Sequence, residues 1–131
     1  MATGEKKELP FVSLFNITQQ LGHRQVDILK MDIEGSEWLI LEEQLELVQP
    51  QQIFFELHTA ESNPEFVPRE LVKGKDRMAV NQLLLKLYDK GYRVIDKNLN
   101  IGDTSCAEIS MVLIWNNNNN NTNNNKSYST L

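Results

Sequence analysis

The sequence predicts an α/β fold: a largely parallel sheet, a C-terminal antiparallel strand pair, and helices on both faces. Three observations predict it. Strand-like and helix-like patterns alternate along residues 11–115. A short apolar run, Val26 to Ile33, is followed at once by Gly35 and a helical pattern, the form of a buried strand turning into a helix. The last two strand candidates have no helix between them, so they pair antiparallel.

Each element has a local reason. Residues 1–10 are polar and read as a flexible leader. Phe11 to Leu21 is a short helix that Ser13 can cap and Gly22 can stop. The strand Val26–Ile33 comes next. Ser36 then offers an N-cap, and Trp38, Leu41, Leu45 and Val48 recur three and four apart, one face of a helix that Pro50 closes. Gln52 to His58 is rich in β-forming residues and gives a second buried strand. Thr59 to about Asp76, with Pro64 and Pro68, reads as a long polar loop of functional or mobile type. Arg77 to Lys90 is a helix with Val80, Leu83, Leu84, Leu87 and Tyr88 as its apolar stripe, ended by Gly91. Tyr92 to Asp96 and Ala107 to Trp115 are the closing strands, with Ile109, Met111, Leu113 and Trp115 on one face and a turn-rich stretch between. Residues 116–131 form an Asn-rich tail. Nine of the ten residues from Asn116 to Asn125 are asparagine, too little apolar surface to fold, so disorder is expected.

Composition narrows the function. The chain has 131 residues and a net charge of −5. That balance argues against non-specific nucleic-acid binding, which needs basic surface to neutralise phosphates. One cysteine, Cys106, rules out an internal disulfide and suits a reducing compartment. No apolar run is long enough to span a bilayer, and no signal-type segment follows the first residues. A cytoplasmic location with no membrane partner is therefore expected.

The chemistry concentrates at two strand ends. In an open parallel sheet, ligands bind beyond the carboxyl ends of the strands. Asp32 and Glu34 lie at that end of the first strand, and Glu56 and His58 at the same end of the second. Neighbouring strands run about 4.8 Å apart, so these four groups are expected to converge at one mouth. Gly35 permits the tight turn into the next helix, whose positive end faces that mouth and suits an anionic group. Lys30 shares a face with Asp32 and is expected to pair with it. Glu37 reads as a first-turn helix charge, Trp38 as core and Cys106 as a small packing residue.

The segment Lys30-Met31-Asp32-Ile33-Glu34-Gly35-Ser36-Glu37 resembles the signature of the FkbM-type methyltransferase family. Phe55-Glu56-Leu57-His58 and Cys106-Ala107-Glu108-Ile109-Ser110 are similar to two later strands of that family, in the same order, across residues 11–115. The resemblance implies a Rossmann-like sheet and methyl transfer from S-adenosylmethionine, usually to an oxygen of a small molecule or glycan. It implies Asp32 and Glu34 at the cofactor, and Asp32 with His58 or Glu56 at the reacting groups. It also implies that residues 11–115 are the C-terminal half of the domain, with strands four to seven. No glycine-rich loop of the kind that grips the cofactor's amino-acid part occurs in the chain. Cofactor binding is therefore expected only when a missing half is supplied, for instance by a complementary chain covering the open sheet edge. Two other readings rest on the same residues. One is a non-catalytic remnant or binding protein. The other is a hydrolase holding Mg²⁺ or Mn²⁺ on Asp32, Glu34, Glu56 and His58, a hard-cation donor set.

Overall fold

The structure, a computed structural model, describes residues 12–100, 102 and 104–114. The leader 1–10, the tail 116–131 and Trp115 lie outside the described residues. Helix α1 spans Leu14–Gln20, strand β1 Ile28–Met31 and strand β2 Gln52–His58. Between the strands runs one helical segment: α2 (Glu37–Leu39), a wider π turn (Ile40–Gln44) and α3 (Leu45–Val48). After β2 come α4 (Arg69–Val72), α5 (Arg77–Asp89), β3 (Tyr92–Leu99) and β4 (Cys106–Leu113).

The four strands form one sheet in the order β1-β2-β4-β3. β1 and β2 are parallel, with Leu29 opposite Ile53 and Met31 opposite Phe55. β4 inserts between β2 and β3 and is antiparallel to both. The expected antiparallel pair is thus present, and its last strand also zips onto β2, placing Cys106 directly opposite His58. β1 is an edge strand, as the sequence implied. β3 is the other edge, and its pairing shifts register between Val94 and Asp96. Such a bulge blunts an edge against unwanted pairing.

The expectation of helices on both faces is met on one face only among the described residues. The buried core combines Ile53, Phe55, Leu57, Ile109 and Met111 of the sheet with Trp38, Leu41 and Leu45 of the α2–α3 segment and Leu83 and Leu87 of α5. The opposite face carries Lys30, Phe54, Glu56, Glu108 and Ser110 around an open cleft of about 140 Å³. Period-two alternation explains this: polar Gln52, Glu56, Glu108 and Ser110 alternate with the apolar positions, the pattern of a half-buried sheet.

Several local readings match their expected causes. Ser13 caps α1 by accepting from the Asn16 N–H; Asp76, read from the sequence only as the end of a loop, caps α5 by accepting from the Ala79 N–H at 2.9 Å. Others need correction. β1 is shorter than expected, so Asp32 and Ile33 lie beyond it. β3 runs on to Leu99, which shortens the turn before β4. Tyr88 is 51% exposed, with the Arg93 guanidinium stacked over its ring, so cation–π contact replaces burial in the core. The segment 59–76 is no bare loop. It contains α4, buries Val67 and Val72, and returns alongside itself through the Ala60 N–H to Lys75 carbonyl bond. No helix among the described residues is long and apolar enough to cross a membrane.

Two contacts fix the helical layer to the strand ends. The Trp38 indole N–H donates to the His58 carbonyl at 2.7 Å, and the Tyr92 hydroxyl donates to the Pro50 carbonyl at 2.7 Å. Burial pushes the Tyr92 phenol well above its ordinary pKa, so it stays a donor. Gly35 is the tightest point. Its φ is +100°, and a Cβ there would sit 3.0 Å from Val67 Cγ1 and 3.1 Å from Val72 Cγ1. Gly35→Ala should therefore lose about 1–3 kcal/mol of stability through strain and overpacking. Denaturant unfolding followed by circular dichroism checks this, and an unchanged midpoint would show that the turn has room to relax.

Candidate functional site

The site begins with the turn after β1. Glu34 has φ +54° and Gly35 φ +100°, two successive left-handed residues. This conformation turns the backbone N–H groups of Ile33 and Gly35 inward, a cradle for an anion. The anion is the Glu37 carboxylate. Glu37 Oε1 accepts from the Ile33 N–H at 2.7 Å, and Oε2 accepts from the Gly35 N–H at 2.8 Å. Glu37 is fully buried, at 0% exposure. The N–H groups of the turn just before this helix are thus satisfied from within the chain. Ser36 occupies the N-cap but makes no side-chain capping bond.

His58 sits directly against this turn and is 4% exposed. Its Nδ1 lies 3.4 Å from Glu37 Oε1, and its Nε2 lies 3.4 Å from Glu34 Oε2 and 4.0 Å from Glu56 Oε2. Asp32 stands at the exposed rim, with a carboxylate oxygen within 4.8 Å of both His58 and Glu37. The four residues expected to converge do converge. Asp32 and Glu34 remain open to solvent, while His58 and Glu37 form the floor. Lys30 lines the same cleft as Asp32, but among the described residues the two form no ion pair. Nor does any lysine or arginine among them pair with Asp32, Glu34, Glu37 or Glu56.

Glu56 is held by two donors. The Cys106 thiol donates to Glu56 Oε1 at 3.0 Å, and the Asn100 amide donates to the same oxygen at 2.9 Å. The thiol bond first, then the amide bond, keep the Glu56 carboxyl below the usual range, against the opposing effect of burial. A separate network sets Cys106 in place. The Thr59 hydroxyl donates to the Ser105 carbonyl at 2.8 Å, and the Ser105 hydroxyl donates to Ser62 Oγ at 3.1 Å. The start of β4 is thereby tied to the end of β2.

Glu37, Cys106 and Asn100 are site residues that the sequence reading placed elsewhere or passed over. Glu37 carried a usable signal. It stands four and eight residues before Leu41 and Leu45 and so shares their buried face, where a mere surface charge would not sit. Cys106 and Asn100 gave none, because only the insertion of β4 beside β2 brings them to Glu56.

Two outcomes follow. Glu37→Gln leaves one turn N–H facing the amide NH₂, a donor that cannot accept, so stability should fall by about 1–3 kcal/mol; a loss under about 0.5 kcal/mol in denaturant unfolding would contradict the turn's dependence on this carboxylate. Cys106→Ala should raise the Glu56 titration toward the ordinary glutamate value of about 4.3. A carboxyl depressed in the folded state adds stability that is present above its unfolded pKa and lost as pH falls through its folded pKa. The variant should thus lose most at neutral pH, with that loss shrinking below about pH 4. Carbon-detected NMR of Glu56 measures the shift directly, and an unmoved titration would remove the thiol as its cause.

Comparisons with known proteins identify a family. A family model described as the methyltransferase FkbM domain matches residues 3–94. A human protein described as "Probable methyltransferase-like protein 24" is 36% identical over 89 residues, covering 62% of this chain. The chain spans only 22% of the length of that relative. No solved structure matches the chain significantly. With the family match covering well over half of its length, and the motif from Asp32 to Glu37 forming one mouth with His58, the chain belongs to the methyltransferase FkbM domain family.

Proposed function

We propose that this chain is the C-terminal part of an S-adenosylmethionine-dependent methyltransferase domain that methylates an oxygen. The observation that carries the reading is the buried His58 imidazole set between Glu34, Glu37 and Glu56, with Asp32 at the rim. Four carboxylates without a lysine or arginine partner among the described residues suit a cationic ligand. S-adenosylmethionine carries a sulfonium and an ammonium, so the donor set fits the cofactor's charge. Asp32 and Glu34, both exposed at the mouth, would hold it, and the cofactor supplies an electrophilic methyl group when bound.

The rest of the chemistry belongs to the chain's own residues. An acceptor hydroxyl must lose a proton as it attacks, and a base within hydrogen-bond reach takes it. His58 Nε2 opens toward the side lined by Glu34 and Glu56, and serves as that base. Glu37 lies on the Nδ1 side, 3.4 Å away, and stabilises the imidazolium that forms. Glu56, kept ionised by Cys106 and Asn100, adds negative charge on the same side. Trp38 fixes the backbone at His58, so the ring is presented from a rigid strand end.

The chain contains no glycine-rich phosphate- or amino-acid-gripping loop. In this reading a complementary segment, in the same polypeptide or another, pairs along the β1 edge and grips the rest of the cofactor. Calorimetric titration should show no micromolar S-adenosylmethionine binding by the 131-residue chain alone, and clear binding once a complementary N-terminal half is supplied. Micromolar binding by the chain alone would contradict the division of the site. In the complemented protein, His58→Ala should lower turnover by about 10²–10⁴ with cofactor binding retained; unchanged turnover would dismiss His58 as the base.

A further inference from the structure

One pair of groups at the mouth makes a second constellation. His58 and Cys106 are direct partners across β2 and β4, and Glu56 lies two residues along the same face of β2. Cys106 Sγ is 3.0 Å from Glu56 Oε1, and Glu56 Oε2 is 4.0 Å from His58 Nε2. One ligand atom from each of the three residues lies within 4.8 Å of the other two. All three stand on strands rather than loops, so their spacing is fixed by sheet register.

The cluster is largely closed from solvent, with His58 4% exposed and Cys106 buried. His58 turns Nε2 toward Glu56, while Nδ1 lies on the Glu37 side. The surrounding carboxylates of Asp32, Glu34 and Glu37 add negative charge with no lysine or arginine partner among the described residues.

We infer that Glu56, His58 and Cys106 form a binding site for a divalent transition metal of the zinc type, with three protein ligands and an open fourth position. Tetrahedral zinc with one sulfur, one nitrogen and one oxygen donor sets the ligand atoms about 3.4–3.6 Å apart. Cys106 Sγ and His58 Nε2 approach different oxygens of Glu56, at 3.0 and 4.0 Å, and one donor atom of each residue lies within 4.8 Å of the others, so side-chain rotation about these strand positions would complete the set. The thiol selects zinc or cobalt over magnesium and calcium, unlike the all-oxygen-and-histidine set read from the sequence. The metal–sulfur bond forms as the thiol proton leaves to solvent. The site stands whether or not the domain transfers methyl groups. Where it does, metal binding would occupy His58 and Glu56 and withdraw them from proton transfer.

Cobalt(II) titration of the reduced, metal-free 131-residue chain tests the site. The expected result is a near-ultraviolet thiolate-to-cobalt charge-transfer band that saturates at one equivalent, is abolished by zinc and is unaffected by magnesium. Cys106→Ser keeps the size and the donor to Glu56. It should remove the band and weaken zinc binding at least about tenfold. Glu56→Gln should keep the band and weaken binding by a similar factor, so the site is judged even if one variant folds poorly. Absence of the band in the unsubstituted chain, or zinc affinity unchanged in a folded variant of either kind, would overturn the assignment.

Discussion

The arrangement depends on one buried carboxylate. Glu37 has no access to solvent, and a charge in that position is tolerated only when its oxygens are bonded. The Ile33 and Gly35 N–H groups bond them, and doing so fixes the backbone of the turn after β1. The consequences spread outward. Glu34 is held left-handed, which turns its side chain toward His58. Gly35 is pressed against Val67 and Val72, so the segment after β2 packs onto the same turn. Trp38, next in the chain, reaches the His58 carbonyl. A single carboxylate thus couples the ends of β1 and β2 and the connection that follows them.

The electrostatics of the mouth follow from this closure. A helix start beside a glycine turn would ordinarily attract an external anion. Here the Glu37 carboxylate fills the N–H cradle of the turn just before the helix, and the cleft beyond it is lined by further carboxylates. The mouth is therefore built for positive charge or for accepting protons. Glu56 strengthens that character, because the Cys106 and Asn100 donors favour its ionised form. On the outside of the helical layer, Lys75 pairs with Glu42 and covers Trp38, and Lys90 pairs with Glu46. Partly exposed pairs of this kind contribute little each and mainly set how the helices lie on the sheet.

Much of this was legible in the residues. Period-three-and-four spacing located Trp38, Leu41 and Leu45, and Ser13 marked a helix start. The strand-end logic brought Asp32, Glu34, Glu56 and His58 to one place. What escaped is what depends on tertiary order. Strand insertion cannot be read from a linear pattern, so Cys106 and Asn100 looked like packing and turn residues. Helices on both faces were expected although Gln52, Glu56, Glu108 and Ser110 already marked one face as polar. Val67 and Val72 were lost in a stretch dominated by its prolines and charges, although both are core.

The central claim is that the Glu37 carboxylate closes the turn after β1 from within. Amide hydrogen exchange of Ile33 and Gly35 reads that bond at its two donors. Both lie in a turn beyond the strand, where amides ordinarily exchange quickly. The account predicts protection at both sites comparable to the core of β2. Exchange at the rate of an open turn would show that the carboxylate does not hold these amides, and the mouth would lose its floor.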